Sequence, residues 1–160
     1  MPTDFRRIID ELLAHDVEFI VVGALSSVLQ GAPISTFDID IVHARDADNV
    51  DRLLEALDEL NARYRGHGDR DRRPDAEALV ADGHHLLKTD AGPLDILGVI
   101  QGDLSYEDLI GDAVELDFDG ESVQVLSLRR YVDFVEQSER PKDQGRLQVL
   151  RATLEQRDED

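Results

Sequence analysis

The 160-residue sequence contains no cysteine and no tryptophan, and only two of its 17 basic residues, Lys88 and Lys142, are lysine. Without thiols there can be no disulfide framework, thiolate zinc site or cysteine nucleophile. Any metal falls to carboxylates and histidines, which favours hard cations. No apolar run approaches the ~20 residues that a membrane span needs. The opening Met1-Pro2-Thr3-Asp4-Phe5-Arg6-Arg7 also lacks the apolar core of a signal peptide, so a cytoplasmic location without membrane contact is expected. The basic residues face 36 acidic ones, for a net charge of −19 and a pI near 4.4. Such a field repels phosphate backbones, so contact with a nucleotide or RNA needs local cations or bound metal. The remaining composition, 41% hydrophobic and 33% charged with 11 Gly and 5 Pro, excludes a disordered or fibrous chain. The length suits a single domain over 1–160, with a core at about 17–126 and C-terminal helices at about 127–156.

Hydrophobic spacing gives the order of elements. Phe5, Ile8, Ile9, Leu12 and Leu13 form a helical stripe that Thr3 or Asp4 can cap. Phe19-Ile20-Val21-Val22 reads as a strand buried on both faces and ended by Gly23, followed by a short helix at 24–30. Residues 37–43 alternate as a second strand, and Val50, Leu53, Leu54, Leu57 and Leu60 mark a longer helix. The Gly-, Arg- and Asp-rich stretch 63–74 reads as a loop or strand-breaking insertion, with order resuming near Ala76. Two hairpins follow, 84–89 with 94–99 across a turn-rich linker, and 114–118 with 123–125 across Asp119-Gly120. Leu128, Tyr131, Val132 and Val135 mark one further helix, Leu147, Leu150 and Leu154 a last one, and the tail from Gln156 should fray. This order predicts an α+β fold, a mixed β-sheet flanked by helices with a C-terminal helical extension.

Asp38-Ile39-Asp40 is the most informative triplet. On a strand the two carboxylates share one face, where they repel each other unless a proton or a cation such as Mg²⁺ or Mn²⁺ intervenes. In a chain with this many aspartates, Asp-x-Asp is also what a solvated strand face looks like. Two neighbours favour chemistry. The junction Gly23-Ala24-Leu25-Ser26-Ser27 between strand and helix offers backbone N–H groups to a phosphate. Asp95, inside the otherwise apolar Leu94-Asp95-Ile96-Leu97, would be costly unless paired and can supply a third carboxylate.

Taken in order, Val21-Val22-Gly23-Ala24, Ser35-Thr36-Phe37-Asp38-Ile39-Asp40, Thr89-Asp90-Ala91-Gly92-Pro93-Leu94-Asp95-Ile96-Leu97 and Arg140-Pro141-Lys142-Asp143 resemble the nucleotidyltransferase superfamily with the polymerase-β-like fold. More narrowly, the chain resembles small bacterial nucleotidyltransferase-like proteins, some of which serve in toxin–antitoxin or phage-defence pairs. The resemblance implies transfer of an NMP from an NTP to a hydroxyl acceptor on RNA, protein or a small molecule. Asp38, Asp40 and Asp95 would be the catalytic and metal-binding acids around two Mg²⁺ or Mn²⁺ ions. Gly23, Ala24, Ser26, Ser27 and Lys142 would contact the nucleotide. The chain departs from the usual pattern at Ala24, Gln30-Gly31, Ile34 and Val135-Glu136, where such proteins often carry a further Gly or Ser, His-Gly, Arg and Lys. The missing cations motivate an alternative, a catalytically weak binding module paired with a cognate toxin or antitoxin.

Arg63, Arg65, Arg70, Arg72 and Arg73 form a basic cluster in this acidic chain. Arg70, Arg72 and Arg73 are candidates for acceptor binding, although pairing with Asp69, Asp71 and Asp75 in a solvated loop fits equally well. His84 and His85 are adjacent on a strand and therefore point to opposite faces, which argues against a shared metal. Asp143 reads as a structural residue near a helix start.

Overall fold

The computed structural model describes residues 3–66 and 71–159. The first stripe forms α1 (Phe5–Ala14), which buries Ile8, Ile9 and Leu12. Asp4 caps it by accepting from the Arg7 N–H at 3.1 Å, while Thr3 donates instead to the Phe37 carbonyl. The β-branched run is β1 (Phe19–Val22), buried at every position, and Gly23 then opens α2 (Gly23–Leu29). The second strand, β2 (Ile39–His43), begins two residues later than its alternation suggested. The third helix, α3 (Ala47–Glu59), is capped by Asp46 on the Asn49 N–H.

The polar insertion carries more order than its composition implied. Arg63–Tyr64 forms a short strand, β3, and Ala76–Val80 a short helix, α4. The hairpins are β4 (His84–Thr89) with β5 (Gly92–Leu97), and β6 (Ala113–Phe118) with β7 (Glu121–Leu126). Pro93 pairs with Lys88 inside the first ladder, so that turn is tighter than the expected linker. In the second turn Asp119 and Gly120 both take positive φ, 53° and 87°, as a tight hairpin demands. Tyr106–Leu109 forms α5, Leu128–Gln137 forms α6 and Pro141–Glu159 forms α7, which continues through the segment expected to fray.

The strands make one mixed sheet in the order β3-β4-β5-β2-β1-β7-β6, with β2 parallel to β5 and β1 parallel to β7. Alternation divides the core between its two faces. Val21, Ile39, Ile41, Leu94 and Ile96 pack with α1 and α3, whereas Ile20, Val22, Val42 and Leu126 pack with α6 and α7. Buried Gln30 ties α2 to this second layer, its amide donating to the Ser26 and Leu126 carbonyls and its oxygen accepting from the Leu128 N–H. The cover of the second face ends over β4, where Leu86 is 47% exposed, and the polar residues of β2 and β5 lie where it ends. Among the described residues, no helix is long and apolar enough to cross a membrane.

Candidate active site

Strand register, rather than sequence proximity, assembles the acids. Asp40 of β2 and Asp95 of β5 are direct partners in the parallel ladder, and Leu86 of β4 faces Asp95 in the next pair. Just beyond β3, the Arg65 N–H donates to the Leu86 carbonyl at 3.0 Å. Residues opposite one another in a sheet share a face, so Arg65 at the end of β3 continues the row that Leu86, Asp95 and Asp40 form across β4, β5 and β2. Asp38 lies just ahead of β2 and is exposed, yet it lines the same cleft as Asp40.

This crowding has an electrostatic consequence. The Asp40 carboxyl is pushed up to about 7, first by burial and then by the charge of Asp95, a hydrogen bond shared with that carboxyl, and the charge of Asp38; Arg65 opposes the rise. Gly23 explains how Asp40 fits. Its φ is +69°, and a Cβ there would sit inside van der Waals contact with Asp40 Oδ2, so the glycine gives both the turn and the room for the carboxylate. Asp95 Oδ1 is buried and makes no aligned hydrogen bond among the described residues, but Arg65 Nη2 stands 2.8 Å from it as a charge partner.

The cleft beside the acids has a volume of about 440 Å³. The turn at Gly23 and Ala24 lies on one side; Leu97, Ile100, Tyr131 and Phe134 give it apolar surface. Arg140, Lys142 and Arg146, from the segment entering α7 and its first turns, give it positive charge. Arg146 Nη2 donates to the Ser35 carbonyl at 3.0 Å, which fastens α7 to the loop leading into the acids. Arg146 also hydrogen-bonds with the Tyr131 phenol, which burial and then Asp143 push up from its ordinary value. Asp143 accepts from Ser138 Oγ at 2.6 Å at the start of the helix, in keeping with a structural role.

Lys142 reaches this cleft, as expected, but Ser26 and Ser27 do not. Both are fully buried, and their hydroxyls donate back to the Gly23 and Ala24 carbonyls at 2.6 Å, leaving backbone as the contact surface of that turn. The arginine cluster is divided. Arg63 pairs with Asp90 and Arg65 reaches Asp95, while Arg73 pairs with Asp71 and lines a separate groove with Leu54, Leu57 and Pro74. The Arg72 carbonyl accepts from the Tyr64 N–H, and Arg70 lies outside the described residues. His84 is exposed at the cleft, whereas His85 is buried against the Tyr64 hydroxyl, so the two do face apart.

Sequence reasoning missed Arg146 and Tyr131, and it set Arg65 in the basic cluster without its partner Asp95. Arg146 had a readable signal: it follows Lys142 by four positions, one turn along the same helix face. The donors at the acids are all carboxylate oxygens, the set that suits Mg²⁺ or Mn²⁺. Among the described residues no group of three His, Asp or Glu is arranged to hold an ion, so the acids form no closed three-ligand site by themselves.

No family model and no curated protein matches the sequence. Solved structures do match the fold. The lincomycin-bound lincosamide antibiotic adenylyltransferase LnuA superposes with a TM-score of 0.63 at 15% identity, covering 96% of this chain and 99% of that one. A putative nucleotidyltransferase from Thermotoga maritima gives 0.54 at 20% identity, covering 97% and 91%. ANT(2'')-Ia in complex with adenylyl-2''-tobramycin gives 0.57 at 12% identity, covering 93% and 86%. The chain therefore has the nucleotidyltransferase-like fold over nearly its whole length.

Proposed function

We propose that the protein is a metal-dependent nucleotidyltransferase that moves an NMP from an NTP to a hydroxyl on a small-molecule acceptor. One observation carries this reading: Asp38 and Asp40, the latter pushed up to about 7 by burial and the neighbouring acids, share a cleft with the cations of α7. In the reaction the acceptor oxygen bonds to the α-phosphorus, the α–β phosphoanhydride bond breaks and pyrophosphate leaves. Asp38 and Asp40 would hold the divalent cation, which neutralises charge at the reacting phosphate and lowers the pKa of the acceptor hydroxyl.

The chain's own groups supply the rest. Lys142, Arg140 and Arg146 offset the triphosphate charge, replacing the cations that the sequence lacks at Ile34 and Val135. Backbone N–H groups at Gly23 and Ala24 approach the phosphates closely because neither residue puts a bulky side chain there. Asp95, beside Asp40 in the ladder, accepts the proton of the acceptor hydroxyl. A net charge of −19 disfavours a polyanionic acceptor such as RNA. The antibiotics in the two neighbouring structures support a small molecule.

Thermal shift with each NTP at millimolar Mg²⁺ tests this assignment. Ligand at 100 times its Kd should stabilise the protein by ~2.7 kcal/mol. Asp38→Asn and Asp40→Asn should reduce that gain. No shift with any NTP would reject the enzyme in favour of a binding module of the same fold, paired with a toxin or antitoxin protein.

A further inference from the structure

Resting on the metal-dependent reading above, we propose that Arg65 stands in for a second cation at the acids. Without nucleotide the protein then holds a single divalent ion, on Asp38 and Asp40, while Asp95 is matched by the guanidinium. The two-ion arrangement that the family resemblance implies would then form only when the triphosphate brings a further ion.

The geometry fixes Arg65 firmly. Its backbone N–H holds the Leu86 carbonyl at 3.0 Å, its Nη1 donates to the Leu87 carbonyl at 2.8 Å, and its Nη2 lies 2.8 Å from Asp95 Oδ1. The preceding Tyr64 N–H is bonded to the Arg72 carbonyl at 2.8 Å, so the strand that ends just before Arg65 is held on both edges. The pair is only partly solvated, with side-chain exposures of 34% for Arg65 and 17% for Asp95, which limits screening. A guanidinium keeps its charge throughout the working pH range, unlike a lysine in the same place.

Charge counting agrees with the geometry. With a metal bound and the acids ionised, three carboxylates offset by one guanidinium would leave two negative charges, the complement of one divalent ion. A further ion at Asp95 would have to stand beside the guanidinium, and like charges that close repel one another.

Mn²⁺ titration of the full chain without nucleotide, followed by the electron paramagnetic resonance signal of free Mn²⁺, tests the proposal. Wild type should bind one ion. Arg65→Gln should bind a second, or bind one about tenfold more tightly, because Asp95 becomes available. Arg65→Lys should return to one ion, which a merely structural arginine would not require. Two ions on wild type, or Arg65→Gln with the stoichiometry and affinity of wild type, would overturn the role of Arg65 while leaving metal dependence standing. No bound ion on wild type would remove both. Two ions on wild type would overturn the proposal even where a variant fails to fold.

Discussion

Replacing Asp40 by Asn should stabilise the metal-free protein, and by an amount that depends on pH. The Asp40 carboxyl is pushed from 3.8 to about 7, mainly by burial and then by Asp95 and Asp38. It therefore binds its proton more tightly in the folded chain than in the unfolded one. Its contribution to stability is complete below the unfolded value and is lost as pH rises towards the folded value. At 1.36 kcal/mol per tenfold change in acidity, the loss by pH 8 is ~4 kcal/mol, and by pH 5 it is still below ~2 kcal/mol. Asn removes the titration and keeps the shape, and its amide can donate to Asp95 where the shared proton stood. For a chain of this length each kcal/mol moves Tm by about 2–4 °C, so Asp40→Asn should melt ~8–16 °C above wild type at pH 8 in EDTA. The gap should narrow to less than half at pH 5. Differential scanning fluorimetry at the two pH values measures it. A variant that melts below wild type at pH 8, or one whose gain is the same at both pH values, would refute the crowding argument. With Mg²⁺ added the order should reverse, because wild type gains binding energy that the variant has lost.

Gly23→Ala should destabilise by more than about 1 kcal/mol, since it combines positive φ with a clash at Asp40 Oδ2, and chemical denaturation would measure the loss. The double variant Lys142→Ala, Arg146→Ala should weaken MgATP binding about tenfold or more by calorimetry. Arg72→Ala with Arg73→Ala should leave that binding unchanged, because Arg73 lines the other groove. An NTP affinity lost with Arg72 and Arg73 would instead bring the arginine cluster into the nucleotide site.

The parts of the fold that were legible in the sequence are those where one strong local pattern coincides with one element. Phe19–Val22 is an uninterrupted apolar run because it is buried on both faces, and the stripe from Phe5 is a helix packed by one face. Asp119 and Gly120 announce their hairpin through the dihedral angles that it needs. Arg63 and Tyr64 were not legible as a strand, because their pairing with Lys88 and Leu87 is imposed by the neighbouring hairpin and leaves no alternation of its own. The same holds for the site. Asp38 and Asp40 are conspicuous as neighbouring acids on one strand face and Asp95 as an acid inside an apolar run, whereas the contact of Arg65 with Asp95 exists only through the register of β3, β4 and β5. The serines misled for a related reason: a hydroxyl near a helix start can face a ligand or bond back to its own turn, and here burial selects the second.

The most direct test of the account is transfer of label from α-³²P NTPs in the presence of Mg²⁺, offered to a panel of hydroxyl acceptors. The panel would include lincosamides, aminoglycosides, cellular RNA and cellular protein. Label should pass to a small molecule with wild type, and should fall to background with Asp38→Asn and with Asp40→Asn. Equal transfer by wild type and both variants, or no transfer by wild type to any member of the panel, would contradict the assignment of these acids to nucleotidyl transfer.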